Sequence, residues 1–182
     1  MTLILASKSP RRNELLLKIT KDFKVIPTNV EEIKKFNNPR KCVKDLSYQK
    51  IVPLMAQFSG DILLGVDTLV YYKGQFLGKP KDYQEAKRFL RLLSGKWHAV
   101  YSGVTLAKGQ KITQFCAKSL VCFNKLTNLQ IENYIKTGSC YDKAGGYGIQ
   151  DGDLVKKYKG SYNNIVGLPT EKLKKYLRRY ND

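Results

Sequence analysis

Short apolar runs alternate along the chain with longer stretches in which apolar residues recur every three or four positions. The first run, residues 3–5, predicts a buried strand, and Leu15, Leu16 and Ile19 then form the apolar stripe of a helix. The run at residues 62–66 is nearly continuous, which is typical of a central strand covered on both faces. Further strands are predicted at residues 23–26, 69–72, 75–77, 97–107, 112–123, 154–158 and 162–166, and further helices follow Pro39, Asp82, Thr127 and Pro169.

The order of these elements predicts a mixed sheet. Strands and helices intermix throughout, and two pairs of predicted strands are joined by short turns at residues 73–74 and 108–109. Short turns join antiparallel neighbours, whereas connecting helices favour parallel ones. The pattern therefore indicates an α/β or an α+β fold with a mixed sheet rather than a purely parallel one. Without a repeat or a linker, residues 1–182 are expected to form one domain, or two closely packed lobes.

The passage from the first strand to the first helix concentrates groups that bind anions. Ser7 and Ser9 precede Pro10, and Arg11 and Arg12 follow it. Ser9 is a good N-cap and Pro10 suits the first helical position, so the turn presents free backbone N–H groups at a helix N-terminus. Hydroxyls, N–H groups and two guanidinium groups together favour a phosphate site. A capped helix with surface arginines explains the same residues without a ligand, and the sequence leaves both interpretations open.

Charged residues further along complete such a site if the fold brings them together. Asp67 directly follows the run at residues 62–66, where α/β folds keep catalytic and metal-binding groups, although an Asp there also begins turns. Lys50 lies on the apolar stripe of the second helix, so its ammonium either extends outward to water or points into a polar cleft. Glu32 follows a short strand and is either a solvated loop residue or a metal ligand. Lys79 lies just after the predicted hairpin.

Residues 141–150 form a glycine-rich loop. Gly145, Gly146 and Gly148 permit unusual backbone dihedrals or a close approach to a ligand. Their spacing does not open a helix, so it does not indicate a dinucleotide-binding fold. Because Gln150 lies in the same loop, the segment favours contact with a base or a sugar.

The composition limits the chemistry. His98 is the only histidine and the four cysteines form no C-x-x-C motif, which argues against a zinc site and against Ser-His or Cys-His catalysis. Acid–base work therefore falls to carboxylates and lysines. The net charge of +18 favours polyanionic partners, although most lysines are scattered as on an ordinary solvated surface. No apolar run reaches the ~20 residues of a membrane helix, and no leader precedes the first strand, so we expect a cytoplasmic protein.

Seven short segments, spread over most of the chain, match sequence motifs of a single protein family. They are L-A-S-x-S-P-R-R at residues 5–12, V-E-E at 30–32, G-V-D-T at 65–68, G-K-P at 78–80, L-S-G-x-x-H-x-V-Y-S-G-V at 93–104, D-K-A-G-G-Y-G-I-Q at 142–150 and G-S-Y-x-N-I-V-G-L-P at 160–169. Together they resemble the Maf family of nucleoside triphosphate pyrophosphatases. The resemblance implies a mixed twisted sheet flanked by helices, with two lobes around a central cleft, as in the Maf and inosine triphosphate pyrophosphatase folds.

The resemblance also implies an activity, the hydrolysis of a nucleoside triphosphate between its α and β phosphates. The P-R-R, D-T and Y-G-I-Q segments look like the branch of the family that acts on dTTP and UTP, and Arg11, Thr68 and Gln150 carry that choice. In the family, such activity keeps non-standard nucleotides out of nucleic acid and is associated with septum formation and arrest of cell division.

The resemblance assigns roles to nine residues, and Asp67 is expected to orient or deprotonate the attacking water. The catalytic group is Asp67, Lys79, Lys50 and Arg12; the substrate-binding group is Ser7, Arg11, Arg12, Thr68, Lys79 and Gln150; and Glu32 and Asp67 are the ligands for a divalent Mg²⁺ or Mn²⁺ cation. Neither a membrane nor a specific nucleic acid is expected as a partner, and a homodimer is left open. The alternative is a basic regulator that binds nucleic acid or nucleotides without turnover.

Overall fold

The computed structural model describes residues 1–181. Its centre is a seven-stranded sheet with helices on both faces. The strands are β1 (Leu3–Leu5), β2 (Phe23–Val25), β3 (Ile62–Tyr72), β4 (Gln75–Leu77), β5 (Trp97–Lys108), β6 (Lys111–Phe123) and β7 (Val155–Lys159). The helices are α1 (Pro10–Leu17), α2 (Pro39–Ile51), α3 (Tyr83–Leu93), α4 (Asn128–Lys136), α5 (Tyr162–Val166) and α6 (Thr170–Asn181), with 3₁₀ turns at Val52–Leu54 and Ala144–Gly146. The mixed sheet flanked by helices is confirmed.

The sheet has a gap along one edge of β3. The strand order is β2-β1-β3-β5-β6-β7, with β1 parallel to β2 and β3, and all other pairs antiparallel. β1 pairs with β3 only at residues 62–64, and β4 pairs with the same edge only at residues 70–72. Between them, residues 65–69 of β3 have β5 as their one strand neighbour among the described residues, so this part of the edge pairs with no further strand.

The two faces of the sheet hold separate parts of the core. On one face, α2 packs against alternate residues of β3, of which Leu63 and Leu69 are buried. On the other face, α1 and α6 pack near Leu64 and Val66, and α3 and α4 pack near Val70. Because β3 is covered on both faces, it has the continuous apolar pattern from which a central strand was predicted.

Two glycines let α2 lie directly on the sheet. A Cβ at Gly65 of β3 would lie 2.1 Å from the carbonyl oxygen of Ser47, and one at Gly103 of β5 would lie 2.1 Å from that of Val43. Only glycine fits at such distances. This close contact fixes the C-terminal turn of α2, which carries Lys50, beside the middle of β3.

Two sequence predictions about these elements are wrong. Residues 162–166, predicted as a strand, form the helix α5, because Ser161 accepts a hydrogen bond from the Asn164 N–H at 3.0 Å and caps a helical turn. Asp67 does not follow the central strand but lies in the middle of it, since β3 continues to Tyr72. An acid inside a strand is tolerated here because Lys50, on the helix that covers this face, forms an ion pair with it.

The N-terminal signals of the helices are confirmed. Ser9 accepts from Arg12 N at the start of α1, and Thr127 and Gln130 form the full capping box of α4. α2 ends just before Pro53, as its lack of an N–H requires. Within residues 1–181, no helix has both the length and the apolar character that crossing a membrane requires.

Candidate active site

A cleft lined by charged side chains opens at the gap in the edge of β3. Its volume is about 300 Å³. It is bounded by the N-terminus of α1, the last turn of α2, β3, the loop after β4, the glycine-rich loop and the end of α5. Eight of the nine predicted site residues line it, namely Arg11, Arg12, Glu32, Lys50, Asp67, Thr68, Lys79 and Gln150. The ninth, Ser7, is buried beside Arg12.

Asp67 and Lys50 form a largely buried ion pair in this cleft. Lys50 Nζ contacts Asp67 Oδ1 and lies 3.2 Å from Glu32 Oε1 and 3.3 Å from the carbonyl oxygen of Val66. The side chains of Lys50 and Asp67 are 14% and 7% exposed. Asp67 Oδ2 is also buried, yet it has no hydrogen-bond partner among residues 1–181. One oxygen of this carboxylate is thus held by a cation, while the other is available to accept a proton or bind a metal ion.

Arg12 is fixed at the cleft by three acceptors. Its Nε donates to the carbonyl oxygen of Gly167 at 3.0 Å, Nη1 to Ser7 Oγ at 3.2 Å and Nη2 to Thr68 Oγ1 at 3.2 Å. Ser9 caps the same helix turn. Because these bonds use several of the five guanidinium donors, the group is held in one orientation and keeps the rest for a ligand.

Burial lowers the pKa of Arg12 below its ordinary value, and the negative charges of Asp67 and Glu32 oppose this shift. A guanidinium stays protonated at neutral pH even so. The cleft therefore places a partly buried cation close enough to the two carboxylates to interact with their charge.

Arg11 is bound to the glycine-rich loop. Its Nη1 donates to Asp142 Oδ2 at 2.6 Å and its Nη2 to the Asp142 carbonyl oxygen at 3.1 Å. Lys143 Nζ contacts Asp142 Oδ1 at 2.9 Å. Burial acts to raise the pKa of Asp142, but the bonds from Arg11 and Lys143 hold it below its ordinary value. A phosphate that binds Arg11 has to compete with this carboxylate.

Lys79 and Gln150 lie at the exposed rim of the cleft. Within the described part of the chain, neither side chain has a hydrogen-bond or ion-pair partner. The Gly145 N–H donates to the carbonyl oxygen of Gly78 at 2.9 Å, which joins the loop carrying Lys79 to the glycine-rich loop. Both rim residues therefore reach a ligand from loops that support each other.

Several residues that shape the cleft were not among the predicted site residues. Ser102 lies 2.9 Å from Thr68 Oγ1 and donates to the Asn164 carbonyl oxygen, so it supports the Thr68–Arg12 contact from inside the sheet. Gly167 accepts from Arg12 and has a φ of +132°, which favours glycine. A serine among the apolar residues of a strand and the glycine near the end of the segment at residues 160–169 were signals available in the sequence. For Lys34, which lines the cleft, there was none.

The carboxylates fit a divalent cation that is completed by substrate. No group of three His, Cys, Asp or Glu side chains in residues 1–181 could hold a metal ion by itself. Mg²⁺, however, is usually bound through one or two carboxylates together with water and substrate phosphates. Asp67 Oδ2, buried and without a partner among residues 1–181, and the partly exposed carboxylate of Glu32 could supply two such oxygens, and both side chains contact Lys50.

Comparison with known proteins identifies the family. A family model described as "Maf-like protein" matches residues 2–180. The chain belongs to the Maf family. One Maf relative, the dTTP/UTP pyrophosphatase of Thermosipho africanus, is 44% identical over 175 residues, which is 95% of this chain and 90% of the relative. The dTTP/UTP pyrophosphatase of Bacillus cereus is 40% identical over 182 residues, covering 98% of this chain and 95% of the relative.

Among solved structures, the Ham1 protein of Staphylococcus aureus superposes with a TM-score of 0.57 and covers 98% of both chains. The sequence identity is 11%, so this likeness concerns the fold alone. It shows that this chain and the Ham1 protein share an architecture.

Proposed function

We propose that this Maf protein is a nucleotide pyrophosphatase that hydrolyses dTTP and UTP to the nucleoside monophosphate and pyrophosphate, with residues 1–182 acting as one domain. The name shared by its relatives, dTTP/UTP pyrophosphatase, supports this assignment. The observation that carries it is the buried Asp67 carboxylate, with one oxygen bound by Lys50 and the other without a partner, in the same cleft as Arg12.

In the proposed reaction, the oxygen of a water molecule attacks the α-phosphorus. The bond from that phosphorus to the oxygen bridging to the β-phosphorus breaks, and pyrophosphate leaves with the bonding electron pair. Asp67 Oδ2 orients the water and accepts its proton, which a group already hydrogen-bonded could not do as readily. Lys50 holds Oδ1 and so fixes the direction of the carboxylate.

The cations of the cleft divide the charge of the triphosphate among them. Arg12 contacts the phosphate oxygens whose negative charge grows in the transition state, from a guanidinium already held in place by Gly167 and Thr68. Arg11 joins it by exchanging Asp142 for a phosphate. Lys79 reaches in from the rim and binds the departing pyrophosphate.

A divalent Mg²⁺ or Mn²⁺ cation, held by Asp67 and Glu32, would neutralise phosphate charge and lower the pKa of the attacking water, and Asp67 would then act on that water through the cation instead of accepting its proton directly. Base recognition falls to Gln150, whose amide offers both a donor and an acceptor to the edge of a pyrimidine. Thr68 was expected to face the base as well. Its hydroxyl lies within hydrogen-bond distance of Arg12 and Ser102, so we assign it to holding Arg12.

The test is release of pyrophosphate from dTTP, UTP, CTP and 7-methyl-GTP, each with Mn²⁺. We expect turnover of dTTP and UTP above the other two. Asp67→Asn keeps the shape of the side chain but removes the proton acceptor, so kcat should fall by about 10²–10⁴-fold.

The matched control is Asp22→Asn, an exposed acid outside the cleft, which should retain the wild-type rate. Turnover unaffected by Asp67→Asn would contradict the assigned role. Nucleotide binding without any turnover would instead favour the regulator that the basic composition suggests.

A further inference from the structure

Gln150 reaches the cleft from a tight turn at residues 148–151. Asp151 N donates to the Gly148 carbonyl oxygen at 3.1 Å and closes the turn. The turn is packed against the Asp151 carboxylate so closely that a Cβ at Gly148 would lie 2.6 Å from Asp151 Oδ2. Because the Gln150 side chain has no hydrogen bond within the described residues, its position depends on how this turn is held.

One oxygen of the Asp151 carboxylate and the Tyr134 hydroxyl hold the two ends of the turn. Asp151 Oδ2 accepts from Ser139 Oγ at 2.7 Å and from the Tyr134 hydroxyl at 2.8 Å, and Lys143 Nζ lies 3.3 Å away. The Tyr134 hydroxyl also accepts from the Gly148 N–H at 3.1 Å. The first and last residues of the turn are therefore both tied to the end of α4 and the segment after it.

The carboxylate is suited to this task because it stays charged. Burial acts to raise the pKa of Asp151, but the hydrogen bonds from Ser139 and Tyr134 and the charge of Lys143 hold it below its ordinary value. Hydrogen bonds to an ionised acceptor are shorter and stronger than those between neutral groups. An uncharged residue at position 151 would hold the turn less firmly.

The same cluster continues to the phosphate-binding end of the cleft. Lys143 Nζ lies 3.3 Å from Asp151 and 2.9 Å from Asp142, and Asp142 lies 2.6 Å from Arg11 Nη1. Charges of alternating sign thus connect the turn that carries Gln150 with the N-terminus of α1.

We propose that Asp151 is a positioning residue for nucleotide selectivity, which holds the turn at residues 148–151 so that the Gln150 amide faces the base. This inference rests on the proposed function and names a residue that touches neither substrate nor reacting atoms. Its effect should appear in the binding of the nucleoside and not in the chemistry at the phosphates.

The test compares Asp151→Ala with Asp153→Ala, an exposed acid two residues further on whose side chain makes no hydrogen bond within residues 1–181. Removing charge-assisted bonds of this kind changes an equilibrium by about tenfold. For Asp151→Ala we therefore expect KM for dTTP and UTP to rise by about that factor, kcat to stay within about twofold, and the preference over CTP to shrink. Asp153→Ala should match the wild type.

Calorimetric titration with dTMP and with pyrophosphate, each alone, separates the two ends of the site. We expect Asp151→Ala to weaken dTMP binding by the same factor and to leave pyrophosphate binding unchanged. Asp151→Asn, which keeps the shape and one acceptor oxygen, should fall between the wild type and the alanine variant, and it replaces that variant if the latter does not fold.

Unchanged dTMP binding in both Asp151 variants would overturn the proposal, as would an equal loss of dTMP and pyrophosphate binding, which indicates a general structural role. A wild-type protein that binds dTMP but releases no pyrophosphate from dTTP would overturn the proposed hydrolysis instead. The dTMP comparison would still decide the role of Asp151, so the two failures are distinguishable.

Discussion

Lys50 shows why a charged residue on an apolar helix stripe has to be interpreted in three dimensions. Its spacing from Val43 and Leu46 fits both a side chain extended to solvent and one turned into a polar cleft. The structure places it inward, 14% exposed, between Asp67 and Glu32. A lysine buried with two carboxylates is costly to desolvate, and its retention is better explained by its partners than by packing.

We predict that Lys50→Met lowers kcat for dTTP by about 10²-fold or more, because the Asp67 carboxylate loses the cation that fixes its direction. Methionine fills similar space, but it leaves a buried charge without its partner, so the free energy of unfolding should also fall by about 3 kcal/mol. Pyrophosphate release is measured well below the melting temperature. The matched control is Lys41→Met, an exposed lysine on the same helix, which should change neither quantity. A fully active Lys50→Met variant would contradict the assigned role.

At the scale of elements, the decisive contact is between α2 and the sheet. The helix backbone lies against Gly65 and Gly103, and this contact carries Lys50 to Asp67. The apolar pattern predicted that α2 exists and which residues it buries. The pattern did not reveal the glycine contacts, because a glycine inside a strand has several explanations and only the packed structure selects one.

We predict that Gly103→Ala separates α2 from β5. Its Cβ would lie 2.1 Å from the Val43 carbonyl oxygen, which is backbone and cannot turn aside, so the free energy of unfolding should fall by about 1–3 kcal/mol or more. Since the helix carries Lys50, kcat should fall as well. Gly60→Ala is the control, because nothing lies within 4 Å of its Cβ position, and it should leave urea unfolding and turnover unchanged. Equal midpoints for the two variants would show that α2 is not held in this way.

The elements predicted from sequence divide by the strength of their local signal. Long periodic segments such as α3 and β5 were predicted almost to the residue, and so was the capping box at Thr127. The five residues of α5 were predicted as a strand because a single helical turn has too few positions to show a period. The same limit applied to Asp67, since a polar residue interrupts an apolar run whether or not the strand ends there.

At the scale of the whole molecule, the site exists because the sheet brings distant segments together. Arg12 contacts Thr68 and Gly167, and Arg11 contacts Asp142, which lies 131 residues further along the chain. Residue types and motifs identified eight of the residues that line the cleft, but the gap between β1 and β4 depends on strand register. Register is set by packing over the whole sheet and was not visible in any single segment.

The only histidine, His98, links the sheet to the glycine-rich loop and makes the stability of the fold depend on pH. His98 lies buried on β5, with Nε2 2.6 Å from the hydroxyl of Tyr147, which belongs to the glycine-rich loop. Burial lowers its pKa from the ordinary 6.5 to about 4. The imidazole is therefore neutral in the native protein at pH values where the unfolded chain already binds a proton.

The buried imidazole makes the native protein less stable in acid. Between pH 6.5 and about 4 the unfolded state binds more protons than the native state, so the contribution of His98 to stability is complete above pH 6.5 and is lost as the pH falls towards 4. The loss amounts to about 3 kcal/mol at 1.36 kcal/mol per unit of pKa. Urea unfolding at about pH 7.0, 5.5 and 4.5 should show most of this loss for the wild type. His98→Gln keeps a polar side chain near Tyr147 but cannot titrate, so the pH dependence of its stability should keep only the part due to carboxylates, which both proteins share. Because the chain has a single histidine, its imidazole resonances can be followed individually by NMR, and a midpoint near 6.5 in the native protein would contradict the buried, neutral state.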